Sequence, residues 1–380
     1  MAVRPVRIGL IGAGAIARCH VHGYRVHDST FGSNGGSPVL ETVAEATPQL
    51  AAEAAARLGF RHAAPDWRAV VESRDIDVVD ICVPSALHRE IALQAIANGK
   101  VIYCEKPVGL SGSDAREVAE AARQAMVASL TGYTYLRNPL IGLARKLIEE
   151  GVLGEIVLFR GTHNEDYLAD PAAPFTWRCD QALAGKAGAL GDLGSHIISI
   201  ALHLVGDIAA VTGETRIVTG KRIAASHSSD RREVSNDDQA LALLRFGDGV
   251  QGYVEASRIA TGSKMALNYE IVGTKGALRF EGERGGELNL HVADEAPERA
   301  GFTRILSHPS HPFYAEISLG AGHGLSFNDH KAIEVHELME LVATGRPPLT
   351  TLDTAAKVGA VLDAVIASAA SGRWSEVAGL

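Results

Sequence analysis

The stretch VRIGLIGAGAIA, residues 6–17, decides how the first part of this chain folds. An apolar strand enters a glycine turn of the form Gly-x-Gly-x-x-Ala, and a helix begins directly after it. Gly12 permits the tight turn, Gly14 lets the backbone approach a pyrophosphate, and Ala17 allows close packing of the helix on the strand. The helix N-terminus then points at the phosphates. The pattern therefore predicts a dinucleotide-binding unit at the start of the chain.

Strands and helices alternate beyond this turn, which predicts an α/β Rossmann domain with a parallel, doubly wound sheet over residues 1–130. Strands predominate after Gly151, so residues 131–380 are predicted to form an α+β domain with a mostly antiparallel sheet. The C-terminal helix of that domain can pack back on the first domain. The segment VHDSTFGSNGGSP, residues 26–38, is predicted to be a long loop that either covers the cofactor or substrate mouth or lies at the surface.

The second predicted strand ends in VAEA, and Glu45 is the acid expected to bind the ribose hydroxyls of NAD. No arginine follows it closely, and a 2′-phosphate would meet its carboxylate. The sequence therefore favours NAD over NADP. The alternative interpretation is a solvated glutamate at a strand end.

Two further motifs carry side chains suited to alcohol chemistry. YCEKPVG, residues 103–109, brings Lys106 to the end of a strand, where a cation can stabilise an alkoxide. GALGDLGSH, residues 188–196, places Asp192 and His196 four apart on one helical face. Histidine titrates near neutral pH and can accept the hydroxyl proton. Each residue alone has a structural explanation, but with the glycine turn they predict hydride transfer.

Composition excludes several classes of protein. The formal net charge is −9, and no run of lysine and arginine offers a surface for nucleic acid. No apolar stretch has the length of a membrane span, and the short N-terminal apolar run is better explained as a strand than as a signal peptide. The 4 cysteines are scattered without a CxxC pair, which predicts reduced thiols in the cytoplasm. The histidine spacing predicts no metal site.

The stretches GLIGAGAIA (9–17), VPSALHREIALQAIANGKVIYCEKP (83–107) and GALGDLGSHIISIALHLVG (188–206) resemble the Gfo/Idh/MocA family of oxidoreductases. The resemblance runs from end to end and is strongest to sugar and inositol dehydrogenases of the levoglucosan dehydrogenase type. It implies a Rossmann domain that binds NAD and a domain with an open-faced sheet that binds substrate. It also implies a homodimer or homotetramer formed through the open sheet face, and a cis peptide before Pro107.

The resemblance also implies site residues. The catalytic residues expected are Lys106, Asp192 and His196. The cofactor contacts expected are Gly12, Gly14, Ala15, Ile16, Glu45, Pro84, Leu87, His88, Glu105 and Lys106. The substrate contacts expected are Tyr135, His163, Asp166, Tyr167, Trp177 and Arg178. The sequence departs from the family at Thr134, Leu136 and His163, where relatives often have Asn, Arg and Tyr, and these departures are expected around the substrate pocket.

Together these observations predict an NAD-dependent dehydrogenase that oxidises a secondary alcohol of a cyclic polyol or sugar, such as an inositol, an aldose or the anhydrosugar levoglucosan. His196 takes the proton, Lys106 stabilises the alkoxide, and Asp192 binds a neighbouring hydroxyl, without a metal. Three alternatives stay open. They are a redox-neutral enzyme that retains NAD, such as a glycosidase or a self-regenerating oxidoreductase, a keto-sugar reductase, and a non-catalytic NAD-sensing regulator.

Overall fold

The computed structural model describes residues 4–33, 35–225, 229–293, 296 and 298–379. The chain divides into two compact units. The first unit comprises Met1–Gly109, Ser113–Arg137 and Ser326–Ala356, and the second comprises Leu110–Gly112, Asn138–Leu325 and Lys357–Leu380. Compared with the predicted boundary at residue 130, the first unit also takes in a segment close to the C-terminus.

The strands, in chain order, are β1 (Pro5–Ile11), β2 (Ser37–Ala44), β3 (His62–Ala64), β4 (Val78–Ile81), β5 (Val101–Cys104), β6 (Ser129–Thr131), β7 (Ile156–Asn164), β8 (Ile208–Arg216), β9 (Lys221–Ile223), β10 (Arg231–Glu233), β11 (Gln239–Phe246), β12 (Gln251–Ser257), β13 (Ala266–Gly273), β14 (Gly276–Glu281), β15 (Glu287–Val292), β16 (Thr303–Leu306) and β17 (Ser375–Glu376). The helices are α1 (Ala15–Phe31), α2 (Pro48–Leu58), α3 (Arg68–Val71), α4 (His88–Ala97), α5 (Gly112–Ala125), α6 (Pro139–Glu149), α7 (Gln181–Ala184), α8 (Ser195–Leu204), α9 (Tyr314–Ile317), α10 (Phe327–Thr344) and α11 (Leu352–Ser371).

The first unit is built on a six-stranded sheet in the order β3-β2-β1-β4-β5-β6. Every neighbouring pair in this sheet is parallel. All four residues of β4 are buried, as expected for a strand with helices on both faces. The strand order reverses between β1 and β4, and ligands of such sheets bind at the carboxyl ends of the strands there. The predicted doubly wound fold is confirmed.

Helix α1 is longer, and the loop after it shorter, than the sequence predicted. The helix continues to Phe31 and β2 begins at Ser37, so most of the predicted loop 26–38 is helix or strand. Residue 34 lies outside the described residues. The ring of Phe31 stacks on that of His336 in α10, with centroids 4.3 Å apart. This packing explains why the polar end of α1 stays helical, and the predicted long covering loop was wrong.

The second unit is built on a nine-stranded sheet in the order β16-β15-β14-β13-β7-β12-β11-β8-β17, antiparallel except for β7 and β12. Helix α8 packs closely on one face, since a Cβ on Gly161 of β7 would lie 2.5 Å from Ile197. On β11, Leu241 and Leu243 are 47% and 54% exposed while their neighbours are buried. The sheet therefore has one covered and one exposed face, as predicted.

Helix α11 differs from the expectation that no stretch is long enough to span a membrane. It has a mean hydropathy of 1.3 over the best 18-residue window and is the one helix of the described residues that passes a test of length and composition. Within the molecule 56% of that window is buried. A core helix is apolar on all sides and passes the same test.

Candidate active site

The turn after β1 has the conformation that a dinucleotide-binding turn needs. Gly12 has a φ of +87°, and a Cβ on it would lie 2.7 Å from the carbonyl oxygen of Cys82. Gly14 is exposed, and a Cβ on it would meet nothing within 4 Å. Gly14 is also the N-cap of α1 and provides no side-chain cap. The first N–H groups of α1, at Ala15 and Ile16, are therefore suited to a phosphate.

Glu45 lies against this turn, at the end of β2. Its Oε1 accepts a 2.7 Å hydrogen bond from the N–H of Ala13. Arg57, in the last turn of α2, donates to the carbonyl oxygen of Ala13 at 2.9 Å. Arg57 was not predicted from the sequence, because only the packing of α2 brings it back to the turn. A carboxylate fixed beside the glycine turn fits the ribose of NAD.

The backbone around Lys106 is held by contacts within the first unit. The peptide bond between Lys106 and Pro107 is cis, as the resemblance implied. The ring nitrogens of His88 lie 2.7 Å from the carbonyl oxygen of Pro107 and 2.8 Å from that of Val83. His88 therefore joins the segments that follow β4 and β5. Of the other predicted cofactor contacts there, Pro84 precedes a short 3₁₀ turn, and Leu87 at its end is 40% exposed.

A buried network of charged side chains lies beside this strand end. The Oε1 atom of Glu105 accepts from Nζ of Lys331 at 2.5 Å, and Lys331 also donates to Glu334 at 2.7 Å. Burial raises the pKa of Glu105, but the charges and hydrogen bonds of Lys331 and His20 together more than reverse this and hold the pKa well below its usual range. The network also includes His20, Tyr24, Asp80, Cys82, Tyr103, Thr134, Arg137 and Glu337.

This network has no signal in the sequence, because its partners are far apart along the chain. Glu105 and Lys331 are separated by 226 positions. Lysine and glutamate on a helix normally indicate a solvated face, and nothing in α10 alone marks Lys331 and Glu334 as fully buried. Glu105 was expected as a cofactor contact, which stays a prediction, and the structure places its carboxylate in the interior.

The stretch 188–196 is helical, but it is not a regular α-helix. Leu190–Gly194 forms a π turn that continues directly into α8. Since hydrogen bonds in a π turn join residues five apart, the α-helical spacing expected for Asp192 and His196 does not hold through this segment. Single π turns inside helices are frequent at functional sites.

Asp237 holds the start of this helix. One carboxylate oxygen accepts the N–H of Gly188 at 2.7 Å, and the other accepts the N–H of Leu190 at 2.9 Å. A Cβ on Gly188 would lie 2.2 Å from the carbonyl oxygen of Asp237, which explains the glycine. Burial raises the pKa of the Asp237 carboxyl. Asp237 was not predicted from the sequence, because it lies in a polar segment just before β11 with no motif around it.

Asp192 is oriented by two of the predicted substrate contacts. Its Oδ2 accepts a 2.8 Å hydrogen bond from the hydroxyl of Tyr167 and a 3.1 Å hydrogen bond from Nε of Arg178. Burial raises the pKa of Tyr167, and the charge of Asp192 raises it further, so the hydroxyl stays a donor. The guanidinium of Arg178 lies 4.7 Å from the ring centroid of Trp177. The structure thus brings four predicted site residues together.

His196 is buried next to another predicted residue. The ring centroids of His196 and His163 are 5.5 Å apart, with 55° between the ring planes. The Nδ1 atom of His163 lies 3.0 Å from the carbonyl oxygen of Leu193, inside the π turn. One departure from the family therefore lies beside the predicted base.

The other two departures lie elsewhere than expected. The hydroxyl of Thr134 donates to Glu334 at 2.9 Å, and Leu136 is only 4% exposed. Both belong to the interior of the first unit, so the expectation that they line the substrate pocket was wrong. Tyr135, between them, is half-buried with its ring edge toward Phe327, 5.7 Å between centroids.

Asp166, another predicted substrate contact, pairs with an exposed lysine. Its Oδ2 accepts from Nζ of Lys264 at 2.5 Å and from the N–H of Gly262 at 3.1 Å. The hydrogen bond from Lys264 lowers the pKa of Asp166. Asp166 therefore forms a surface ion pair just after β7, the strand that carries His163.

One buried group among the described residues has the composition of a metal site. The ligand atoms of His20, Asp80 and Cys82 all lie within 4.8 Å of one another. However, the two ring nitrogens of His20 face the carboxylates of Asp80 and Glu105. Burial raises the pKa of the Cys82 thiol well above its usual range, which disfavours the thiolate that a metal binds. A hydrogen-bonded cluster accounts for these contacts, and the absence of a metal stays a prediction.

Two family models match the chain. An oxidoreductase family with an NAD-binding Rossmann fold matches residues 6–133, and the GFO/IDH/MocA C-terminal domain matches residues 141–279. Levoglucosan dehydrogenase of Pseudarthrobacter phenanthrenivorans is 35% identical over 383 residues, which cover 98% of each chain. Inositol 2-dehydrogenase of Rhizobium meliloti is 27% identical over 81% of this chain and 83% of the relative.

A solved structure of levoglucosan dehydrogenase in complex with NADH and levoglucosan superimposes with a TM-score of 0.95. It is 35% identical and covers 99% of this chain and 100% of the other. The parallel sheet, the glycine turn and the mostly antiparallel second sheet agree with these matches. The chain belongs to the GFO/IDH/MocA family of oxidoreductases, with a Rossmann fold that binds NAD.

Proposed function

We propose that this protein is an NAD-dependent dehydrogenase that oxidises a secondary alcohol of a cyclic sugar or polyol. The observation that carries the proposal is the full-length likeness to levoglucosan dehydrogenase, whose structure holds NADH and levoglucosan. The glycine turn, the exposed N-terminus of α1 and the carboxylate of Glu45 support NAD as the cofactor. Levoglucosan and other anhydrosugars are the first substrates to test, followed by inositols and aldoses.

The reaction needs a base, a cation and a group that fixes the substrate. NAD supplies the acceptor for the hydride. His196 accepts the proton of the reacting hydroxyl, a role that suits an imidazole near neutral pH. Lys106 stabilises the developing negative charge on that oxygen. Asp192, held by Tyr167 and Arg178, accepts a hydrogen bond from a neighbouring hydroxyl and so orients the ring.

The remaining candidate residues take binding roles in this proposal. Around the nicotinamide half of the cofactor we place Pro84, Leu87, His88 and Glu105. The contacts with the sugar come from Tyr135, His163, Asp166, Tyr167, Trp177 and Arg178. His163, next to His196, is the position at which we expect this chain to differ in substrate choice from relatives with a tyrosine there.

We also propose that the protein forms a homodimer or homotetramer through the exposed face of the nine-stranded sheet. Leu241, Leu243 and Tyr253 are exposed on it by 47%, 54% and 39%. Beside them, Glu270 forms ion pairs with Arg160 and Arg279 at 2.8 and 3.1 Å. Light scattering after gel filtration tests this, and a monomer at micromolar concentration contradicts it. The free thiols of all four cysteines agree with the proposed cytoplasmic location.

The direct test is NADH formation, read by absorbance, with levoglucosan, inositols and aldoses as substrates. With the substrate that is turned over fastest, His196→Ala and Lys106→Ala are each expected to lower kcat by about 10²- to 10⁴-fold, the usual contribution of acid–base catalysis. The exposed residues His22 and Lys146 provide matched controls, because His22→Ala and Lys146→Ala remove the same side chains from the surface. Near-normal turnover in both site variants contradicts the mechanism.

Cofactor choice is tested by kcat/KM with NAD and NADP. The carboxylate of Glu45 is expected to repel a 2′-phosphate and make NAD the better cofactor. A clear preference for NADP contradicts the assignment of Glu45 to the ribose hydroxyls of NAD. Arg57, the cation at the same turn, is then the residue to test for binding of the 2′-phosphate. Faster turnover of the keto-sugar with NADH points to reduction as the working direction, and sugar conversion without net NADH points to a redox-neutral reaction.

A further inference from the structure

His20 lies in the interior of the first unit, on the same helix that begins at the glycine turn. It is 0% exposed. Its Nδ1 lies 3.0 Å from both carboxylate oxygens of Asp80, and its Nε2 lies 2.9 Å from Oε1 of Glu105. Since a carboxylate only accepts hydrogen bonds, both ring nitrogens must carry a proton. His20 is therefore an imidazolium between two carboxylates.

The groups around His20 support this charge state. The ring of Tyr103 stacks on the imidazole with 4.3 Å between centroids. Sγ of Cys82 lies 3.5 Å from Nδ1, and Lys331 of α10 shares Glu105 with His20. Burial and the charge of Lys331 lower the pKa of His20, but Asp80 and Glu105 raise it more, and the pKa lies above its usual value. The direction of this shift agrees with the doubly protonated ring that the two carboxylates require.

Glu105 directly follows β5 and directly precedes Lys106. Its carboxylate accepts hydrogen bonds from three groups. Oε1 accepts from His20 and from Lys331, and Oε2 lies 3.2 Å from the backbone N–H of Lys106. A Cβ on Gly132 would lie 2.6 Å from the same carboxylate, so the backbone of the segment after β6 closes the remaining side. The carboxylate can hardly rotate, and the backbone N–H of Lys106 is bonded to it.

We propose that His20 is a positioning residue for the dehydrogenase reaction, acting through Glu105 to fix the backbone from which Lys106 projects. His20 lies on α1, whose N-terminus faces the proposed pyrophosphate site. Its hydrogen bonds to Asp80 and Glu105 therefore fix the positions of α1, the end of β4 and the end of β5 relative to one another. The inference rests on the proposed function, because it assigns Lys106 a part in hydride transfer. Small displacements of a positioned group reduce the rate of the chemical step more than binding.

Two conservative substitutions separate the two hydrogen bonds of His20. The amide nitrogen of glutamine can reach the position of Nε2, so His20→Gln can keep the bond to Glu105 and lose the bond to Asp80. The shorter side chain in His20→Asn can reach only the position of Nδ1, so it keeps Asp80 and loses Glu105. Both variants are neutral and lose the same charge.

If His20 acts through Glu105, His20→Asn lowers kcat by about tenfold or more, whereas KM for NAD changes by less than about threefold. His20→Gln keeps kcat within about threefold of wild type at a similar loss in Tm. Glu337→Gln is the control. Glu337 belongs to the same buried network but contacts Arg137 and the N–H of Leu349, away from Glu105. That variant is expected to lower Tm and leave kcat per folded molecule unchanged.

Circular dichroism establishes the folded fraction of each variant before kinetics. If His20→Asn does not fold, Glu105→Gln replaces it with the same expected loss of kcat. Equal kcat values for the asparagine and glutamine variants, whether both high or both low, overturn the role of His20 alone. If the wild type forms no NADH with any of the sugars, the proposed function is overturned, and this role of His20 with it.

Discussion

The two stretches that carry the proposed catalytic residues are held in place by different means. Beside Lys106, Glu105 is fixed by long-range ion pairs between fully buried side chains. Before Asp192 and His196, a π turn is fixed by backbone N–H groups that bind the carboxylate of Asp237. The first arrangement depends on the balance of buried charges. The second depends on hydrogen bonds that fix the backbone at the start of the π turn. Substitutions that alter charge should therefore damage the two stretches unequally.

The largest effect is expected for Lys331→Met, which keeps a side chain of similar length and removes the cation. It leaves Glu105 and Glu334 as neighbouring buried carboxylates, and loss of one partner of a buried ion pair typically costs about 3–5 kcal/mol. Chemical denaturation measures the free energy of unfolding. Lys357→Met is the matched control, because Lys357 pairs with the exposed Asp207 and such pairs contribute about 0–1 kcal/mol. Equal losses of unfolding free energy in the two variants would contradict the view that the first unit depends on its buried ion pairs.

Asp237→Asn is expected to cost less, about 1–3 kcal/mol, because an amide oxygen can still accept one of the two N–H groups while the amide NH₂ faces the other. The helix start at Gly188 then shifts, and kcat falls along with stability. Unfolding curves and kcat per folded molecule are the measurements. Asp207→Asn, whose side chain is 72% exposed, should change stability by less than about 0.5 kcal/mol. An unchanged kcat in Asp237→Asn shows that the hydrogen bonds from Gly188 and Leu190 to Asp237 do not position Asp192 and His196.

The pH dependence of these effects should have opposite signs in the two regions. Burial raises the pKa of Glu334, but Lys331 and Arg137 more than reverse this, so the pKa lies below its ordinary 4.5. Its stabilisation is present above that value and is lost as pH falls. Burial raises the pKa of Asp237 above its ordinary 3.8, so ionisation of this carboxyl lowers the free energy of unfolding, which is greater at low pH and decreases as pH rises.

Unfolding free energies at several pH values below 7 test this comparison. The stability difference between wild type and Glu334→Gln should shrink as the solution becomes more acidic than pH 4.5. The difference between wild type and Asp237→Asn should grow over the same change. Parallel behaviour of the two variants contradicts the assignment of these groups to opposite electrostatic surroundings.

The smallest effect is expected for Tyr167→Phe, which removes one of the two donors to Asp192. Because Tyr167 is 40% exposed and Arg178 still donates to Asp192, loss of this hydrogen bond is expected to cost only about 0.5–1.5 kcal/mol, so kcat/KM for the sugar should fall by about threefold to tenfold. KM for NAD should stay the same. Tyr253→Phe, on the exposed face of the second sheet, is the control. A loss confined to KM for NAD contradicts the place of Tyr167 in the sugar site.

Sequence patterns predicted those features whose residues are close together along the chain. Gly12 and Gly14 share one turn, and Glu45 follows a strand whose end is fixed by the topology of a Rossmann sheet. Lys331 and Asp237 could not be predicted, because the partners that make them important are distant in sequence and only the fold brings them near. The same reason applies to Thr134, whose side chain was expected at a pocket and instead bonds to Glu334.

The first unit takes its last segment, Ser326–Ala356, from near the end of the chain, and that segment carries the only lysine that neutralises Glu105 in the described structure. During synthesis the N-terminal part leaves the ribosome first. Until residue 331 is made, Asp80 and Glu105 have only His20 as their shared cationic partner, and in a fragment that stops at Arg137 the buried guanidinium also lacks Glu334 and Glu337. The nucleotide-binding unit should therefore complete its folding only when residues 138–325 of the second unit have already been synthesised.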